Sequence, residues 1–240
     1  MIRTKFAAVC IVLFLAGIAS ALPTGSVDLG NYNFAMSGQA NLWGGGTSGG
    51  RYYTGIISWT TSSASGDGSL VPDWGFCIDL TQGASNASYV VDSQIENYSQ
   101  PAAYTTPMGT ERANNLRELW GRYFDPTWVT NATQENRNLA GAFGVAIWEI
   151  IYETDTDQSG NLVYDITSGS GFRASSLSGA MEGQANQWLM SLDGSGLLAD
   201  NLLALSSQTS QDFISVPEPA TVGLLGLGLM FLIRRRRGKS

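Results

Sequence analysis

Hydrophobic and polar positions change their period about halfway along this chain. Glycine and serine dominate residues 22–68, where 32–36 and 52–60 stand out as strand-like. In the second of these, Tyr53, Ile57 and Trp59 broadly alternate with smaller or polar residues, the pattern of a half-buried strand. Residues 44–50, reading GGGTSGG, form a turn or loop; without lysine or P-loop spacing they cradle no phosphate. The run WGFCIDL at 74–80 predicts a short apolar strand, and 89–92 another. Near Met108 the spacing becomes helical. Over 111–124, Leu116, Leu119, Trp120 and Tyr123 fall at i, i+3, i+4 and i+7, on a helix that must end before Asp125-Pro126. A second helix over 133–152 places Leu139, Phe143, Ala146, Ile147 and Ile150 on one face, with Thr133 as N-cap. A strand at 162–166, a third helix at 177–190 and a last strand at 211–215 complete the pattern. Strands with helices interposed predict an α+β fold around a β-sandwich or barrel-like sheet. No internal repeat and no second core is visible, so one domain is expected over 22–205, followed by a linker over 206–219.

Composition narrows the chemistry. The chain has 240 residues, 43% of them apolar, which is ample for one core. It contains no histidine, which removes Ser-His-Asp and Cys-His catalysis and nearly every familiar zinc or copper site. Seven of the thirteen basic residues sit at the two ends. Between Leu22 and Pro219, six arginines face all twenty acids, a net charge of −14 without a single lysine. Nucleic acid, which needs a basic face, is therefore excluded as a partner, as is lysine-based covalent chemistry in the body.

The ends read as targeting segments. Arg3 and Lys5 precede an apolar run at 6–18, and Ala19-Ser20-Ala21 offers small side chains to a signal peptidase, so residues 1–21 are expected to be a Sec signal peptide cut after Ala21. Cys10 would leave with it, making Cys77 the mature protein's only cysteine and excluding an internal disulfide. At the far end, Pro217-Glu218-Pro219 is followed by fourteen uncharged residues, 220–233, and then by Arg234, Arg235, Arg236 and Arg237. As a helix the uncharged run covers about 21 Å, short of a hydrocarbon core of about 30 Å. Segment 220–240 is thus expected to be a short transmembrane helix with a basic cytoplasmic anchor, better suited to a temporary tether than to a permanent one.

The order Pro-Glu-Pro, short apolar helix, arginine cluster resembles the PEP-CTERM sorting signal of exported bacterial proteins. That resemblance implies Sec export, recognition and removal of the tail by an exosortase, transient anchoring in the inner membrane of a Gram-negative bacterium, and delivery to the cell surface or medium. In the body, Phe76-Cys77-Ile78-Asp79-Leu80 and the later Ala142-Phe143-Gly144-Val145-Ala146-Ile147-Trp148-Glu149 resemble the two signature segments of bacterial thioester domains. There a cysteine condenses with a glutamine to leave an internal electrophile. Cys77 matches the cysteine, but Gly144 stands at the glutamine position and has no side chain to acylate a thiol, so the resemblance implies a degenerate site.

Two further patterns bear on chemistry. Residues 155–161, DTDQSGN, reproduce the first seven positions of an EF-hand-type loop, with Asp155, Asp157 and Ser159 at positions 1, 3 and 5; the twelfth position, Ile166, lacks the usual glutamate. Calcium is the one candidate cofactor, and a plain acidic turn accounts for the same residues. Among carboxylate pairs, Glu149 with Glu153 and Asp73 with Asp79 are the ones a glycosidase would need. The reading that unites these features is a non-enzymatic surface or extracellular-matrix protein of adhesion type, associated with biofilm or exopolysaccharide and meeting polysaccharide or another surface ligand. The alternative is a secreted carbohydrate-active hydrolase using a carboxylate pair.

Overall fold

The computed structural model of the chain describes residues 24–99 and 107–217. The expected signal segment with Ala19 and Ala21, and Glu218, Pro219, the apolar run and Arg234 to Arg237, lie outside the described residues. Among the described residues no helix is long and apolar enough to cross a membrane.

Two long strands frame the fold, β1 (Thr24–Gly44) and β2 (Thr47–Ser65), followed by β3 (Trp74–Cys77) and β4 (Ala87–Asp92). Then come α1 (Gly109–Tyr123), the single turn α2 (Thr127–Thr130) and α3 (Gln134–Tyr152). The last elements are β5 (Arg173–Ser175), α4 (Gly179–Met190), β6 (Leu203–Ser206) and β7 (Phe213–Ser215). Every strand pairing is antiparallel. The order β2-β3-β7-β6-β4-β1 returns to β2 through the β1–β2 ribbon, so these pairings form a closed circuit, and β5 adds to the far end of β1. The expected combination of sheet and helices is found, as a mixed, sheet-rich fold with a seven-stranded antiparallel sheet.

The β1–β2 ribbon is longer than the hydrophobic pattern predicts because backbone pairing, rather than apolar alternation, carries it. Fifteen Cα partners join the two strands, with four register shifts along the way. Its turn is Gly45-Gly46, φ +56° and +87°, the positive values that a two-residue type I′ hairpin needs and that glycine supplies without strain. Thr47 to Gly50, expected to be loop, instead belong to β2.

Helix α3 departs from the expected single apolar stripe. Every residue from Ala140 to Ile150 is buried, and the helix packs on β1, β2, α1, α2 and α4. Small residues allow this enclosure, as the Gly144 contact below illustrates. Phe143 is the hub of an aromatic cluster, with ring centroids 5.1 Å from Phe76, 5.2 Å from Trp120 and 5.6 Å from Trp128. Thr133 caps the helix as expected, its hydroxyl accepting from the Asn136 amide at 3.1 Å.

Two further expectations are corrected. The strand at 162–166 is reduced to one bridge, Thr156 to Leu162. Asp165 folds back instead, its Oδ1 accepting from the Thr167 amide at 2.9 Å, and the Ile166 amide goes to Asn186 at 3.2 Å, so side chains take the bonds a ladder would use. The boundary at 205 falls inside the sheet: β6 spans it and β7 pairs with both β3 and β6, which makes 206–215 part of the folded body. Only Val216 separates β7 from Pro217, whose carbonyl accepts from the Asn201 amide group at 3.3 Å.

Candidate functional site

The two segments that resemble a thioester site are brought side by side. Cys77 ends β3, which pairs with β2 through Ile56 and Phe76; continuing that register by one step sets Gly55 across from Cys77. Gly144 of α3 rests on the same glycine. A Cβ added at Gly144 would lie 2.7 Å from the Gly55 nitrogen and 2.9 Å from the Thr54 hydroxyl oxygen, closer than real Cβ contacts allow. Thr54 is itself fixed, donating to the Gly141 carbonyl at 2.7 Å. The glycine therefore lets helix and strand approach to backbone contact, and no glutamine fits there without moving one of them.

Cys77 is a buried free thiol whose Sγ donates to the Asp79 carbonyl at 2.9 Å. Burial pushes this thiol well above its ordinary value, and the charges of Asp79 and Asp212 push the same way. A thiol held neutral is a poor nucleophile. The polar groups around it build an enclosed network. Asp212 is fully buried, accepts from the Ser207 amide at 2.6 Å and the Tyr98 hydroxyl at 2.9 Å, and is pushed up to about 7 by burial. The Tyr152 hydroxyl donates to the Ile78 carbonyl at 2.8 Å, which ties the end of α3 to the strand that carries Cys77. Asp212 and Tyr98 were not legible as partners: 114 residues separate them, and Tyr98 lies outside every patterned segment.

The acidic residues of the EF-hand-like loop are engaged separately. Asp155 is turned toward Ser170, accepting from its amide at 2.9 Å and from its hydroxyl. Asp157 closes its own turn, accepting from the amides of Ser159 at 2.7 Å and Asn161 at 3.0 Å. Ser170 holds the Asp155 carboxyl below the usual carboxylate range, and Asn161 does the same for Asp157. Ser159 is exposed on the turn. Among the described residues no three acidic or thiol side chains gather as a metal site.

Glu149 and Glu153 lie one helical turn apart and are both fully buried. Glu149 accepts from the Asp165 amide at 2.7 Å, and Glu153 from the amides of Thr154 and Asp155 at 2.5 Å each. Burial first, and then the Glu153 charge, push Glu149 up to about 9. The pair thus fastens the loop after α3 from inside. With no exposed surface, neither carboxyl is presented to a polysaccharide. Asp73 and Asp79 stand on opposite ends of β3, the first exposed and the second buried, and do not form a pair.

The remaining sequence features belong to the tail. Pro217 emerges half-buried at the surface of the body, separated from β7 by Val216 alone, with the rest of the sorting segment beyond the described residues. Residues 215–237 match the family model described as the PEP-CTERM protein-sorting motif. That match starts on Ser215, the last residue of β7, and covers the tripeptide, the apolar run and the arginine block. It supports the class of exported bacterial protein that an exosortase sorts by its C-terminus. No curated protein and no solved structure matches the chain.

Proposed function

We propose that the chain is a surface or extracellular-matrix protein of a Gram-negative bacterium, in which a non-enzymatic adhesion-type body is delivered by its tail. Sec exports it, the apolar run holds it briefly in the inner membrane, and an exosortase reads Pro217-Glu218-Pro219 and releases the body. The observation that carries this reading is the match of 215–237 to the sorting motif, beginning where the sheet ends. Pro217 fixes φ and has no amide proton, so the chain leaves β7 at a residue that cannot donate to a ladder.

The body is, in this reading, a relative of thioester domains that has lost the cross-link. In its support, β3 and α3 bring the cysteine segment and the helix segment together, with a glycine contact where the acylating side chain would stand. The acidic surface keeps the released body soluble among matrix polymers.

Fractionating cells that express the full chain tests the assignment. Changing Pro217 and Glu218 to alanine is expected to leave the protein in the membrane, and changing Arg234 to Arg237 to serine is expected to mis-sort it, both with a folded body. Normal processing and release of both variants would defeat the sorting reading.

A further inference from the structure

Arg51 and Tyr53 lie two residues apart on β2 and so project from one face of the strand. Phe34 of β1 stacks on Tyr53, ring centroids 4.9 Å apart and planes inclined by 27°. Tyr53 nevertheless stays 50% exposed, so its ring is braced on one side and open on the other. Together with Tyr52 and Gln82 these side chains line an open groove of about 380 Å³. Among the described residues, the side chains of Arg51, Tyr53 and Gln82 have no hydrogen-bond partner within the chain. The ion pairs of the described residues run through Arg117 and Arg122, which leaves Arg51 without a carboxylate.

A fixed aromatic face beside free amide and guanidinium donors has a definite complement. The apolar C–H face of a pyranose stacks on such a ring, its hydroxyls meet the amide, and a planar guanidinium matches a carboxylate two bonds at a time. We infer that this groove binds an acidic polysaccharide, with one sugar face on Tyr53 and a uronate carboxylate on Arg51. The net charge of the body opposes a polyanion at long range. Screening at about 8 Å in physiological salt confines that repulsion, so the local cation decides at contact. The inference rests on the proposed role as a matrix protein and gives that role its ligand class.

Calorimetric titration of the purified full chain with an oligouronate, and with a neutral cello-oligosaccharide for comparison, tests it. The oligouronate is expected to bind more tightly. Tyr53→Ala should weaken both sugars, and Arg51→Gln should remove the preference for the acidic one, with losses of about tenfold or more. Both positions are exposed, so an unchanged melting temperature is expected to show that folding is intact. If the oligouronate bound and neither variant weakened it, the groove would be the wrong site while the matrix role stood. An absence of oligouronate binding, or an equal preference for the neutral sugar, would overturn the ligand class; fractionation of the tail variants decides the sorting role independently.

Discussion

Replacing Glu149 with glutamine should make the protein more stable at pH 8, although it alters a fully buried residue at the end of the central helix. One oxygen of Glu149 accepts from the Asp165 amide at 2.7 Å, while the other, like one oxygen of Glu153, has no donor among the described residues. Burial, and then the Glu153 charge, push Glu149 up to about 9, and a proton on Glu149 satisfies the two acceptor-only oxygens. The other titratable groups near it are Asp165, whose own turn lowers it, and Tyr164, which burial raises to about 12. Arg112 serves the Glu153 carbonyl at 2.7 Å. In the unfolded chain a glutamate titrates near about 4.3. The folded value is raised, so the stabilisation is complete below the unfolded value and is lost as pH climbs through the folded one. A proton held across that window contributes about 1.4 kcal/mol per pH unit, which makes on the order of 4 kcal/mol between pH 5 and pH 8 an upper bound. Asp212, raised to about 7, adds a loss of the same sign up to that pH. Glutamine mimics the protonated carboxyl at all pH values. Urea unfolding of wild type and Glu149→Gln at pH 5, 6, 7 and 8 should show a shallower decline for the variant, with the two nearly equal at pH 5. A variant less stable than wild type at pH 8, with an unchanged slope, would refute the shared proton and mean that Glu149 works as a carboxylate.

Other substitutions probe the rest of the site. Gly144→Ala should destabilise by about 1–3 kcal/mol through overpacking against Gly55, and Gly144→Gln by more without forming a thioester, as thermal unfolding and intact mass together will show. Cys77 should resist a thiol reagent in the native protein at pH 7 and react promptly in urea; fast native labelling would contradict its burial and its raised pKa. Asp155→Ala should lower the melting temperature by the same amount with and without millimolar calcium, because the carboxylate serves Ser170; a calcium-induced rise that the substitution abolishes would restore the loop as a cation site.

How much was readable before the fold depended on what each segment uses to hold itself in place. Helices α1, α3 and α4 were legible from apolar spacing, and the α3 start from Thr133, because those signals are local. The enclosure of α3 was not, since it depends on which strands and helices cover its small glycines and alanines. Most of β1, with its glycines, asparagines and serines, carries little apolar alternation; it forms because β2 is its neighbour across a Gly45-Gly46 turn. Strands β5 and β6 are three and four residues long, too short to show a period. At the site, Cys77 and Gly144 were found by their flanking segments, and the acid pair of Glu149 and Glu153 by its spacing. What spacing could not show is that the pair is buried and that Asp155 and Asp157 point to different partners.

The central claim is that a folded, uncross-linked body is delivered by a tail that is then removed. The intact mass of the protein recovered from the cell surface or medium tests this most directly. The account predicts a chain that begins at Leu22, has lost Arg234 to Arg237 with the apolar run, ends near Pro217, and shows no deficit of about 17 Da, the ammonia released on thioester formation. A mass that retained the arginine block would contradict the sorting role, and a 17 Da deficit would contradict the account of Cys77 and Gly144.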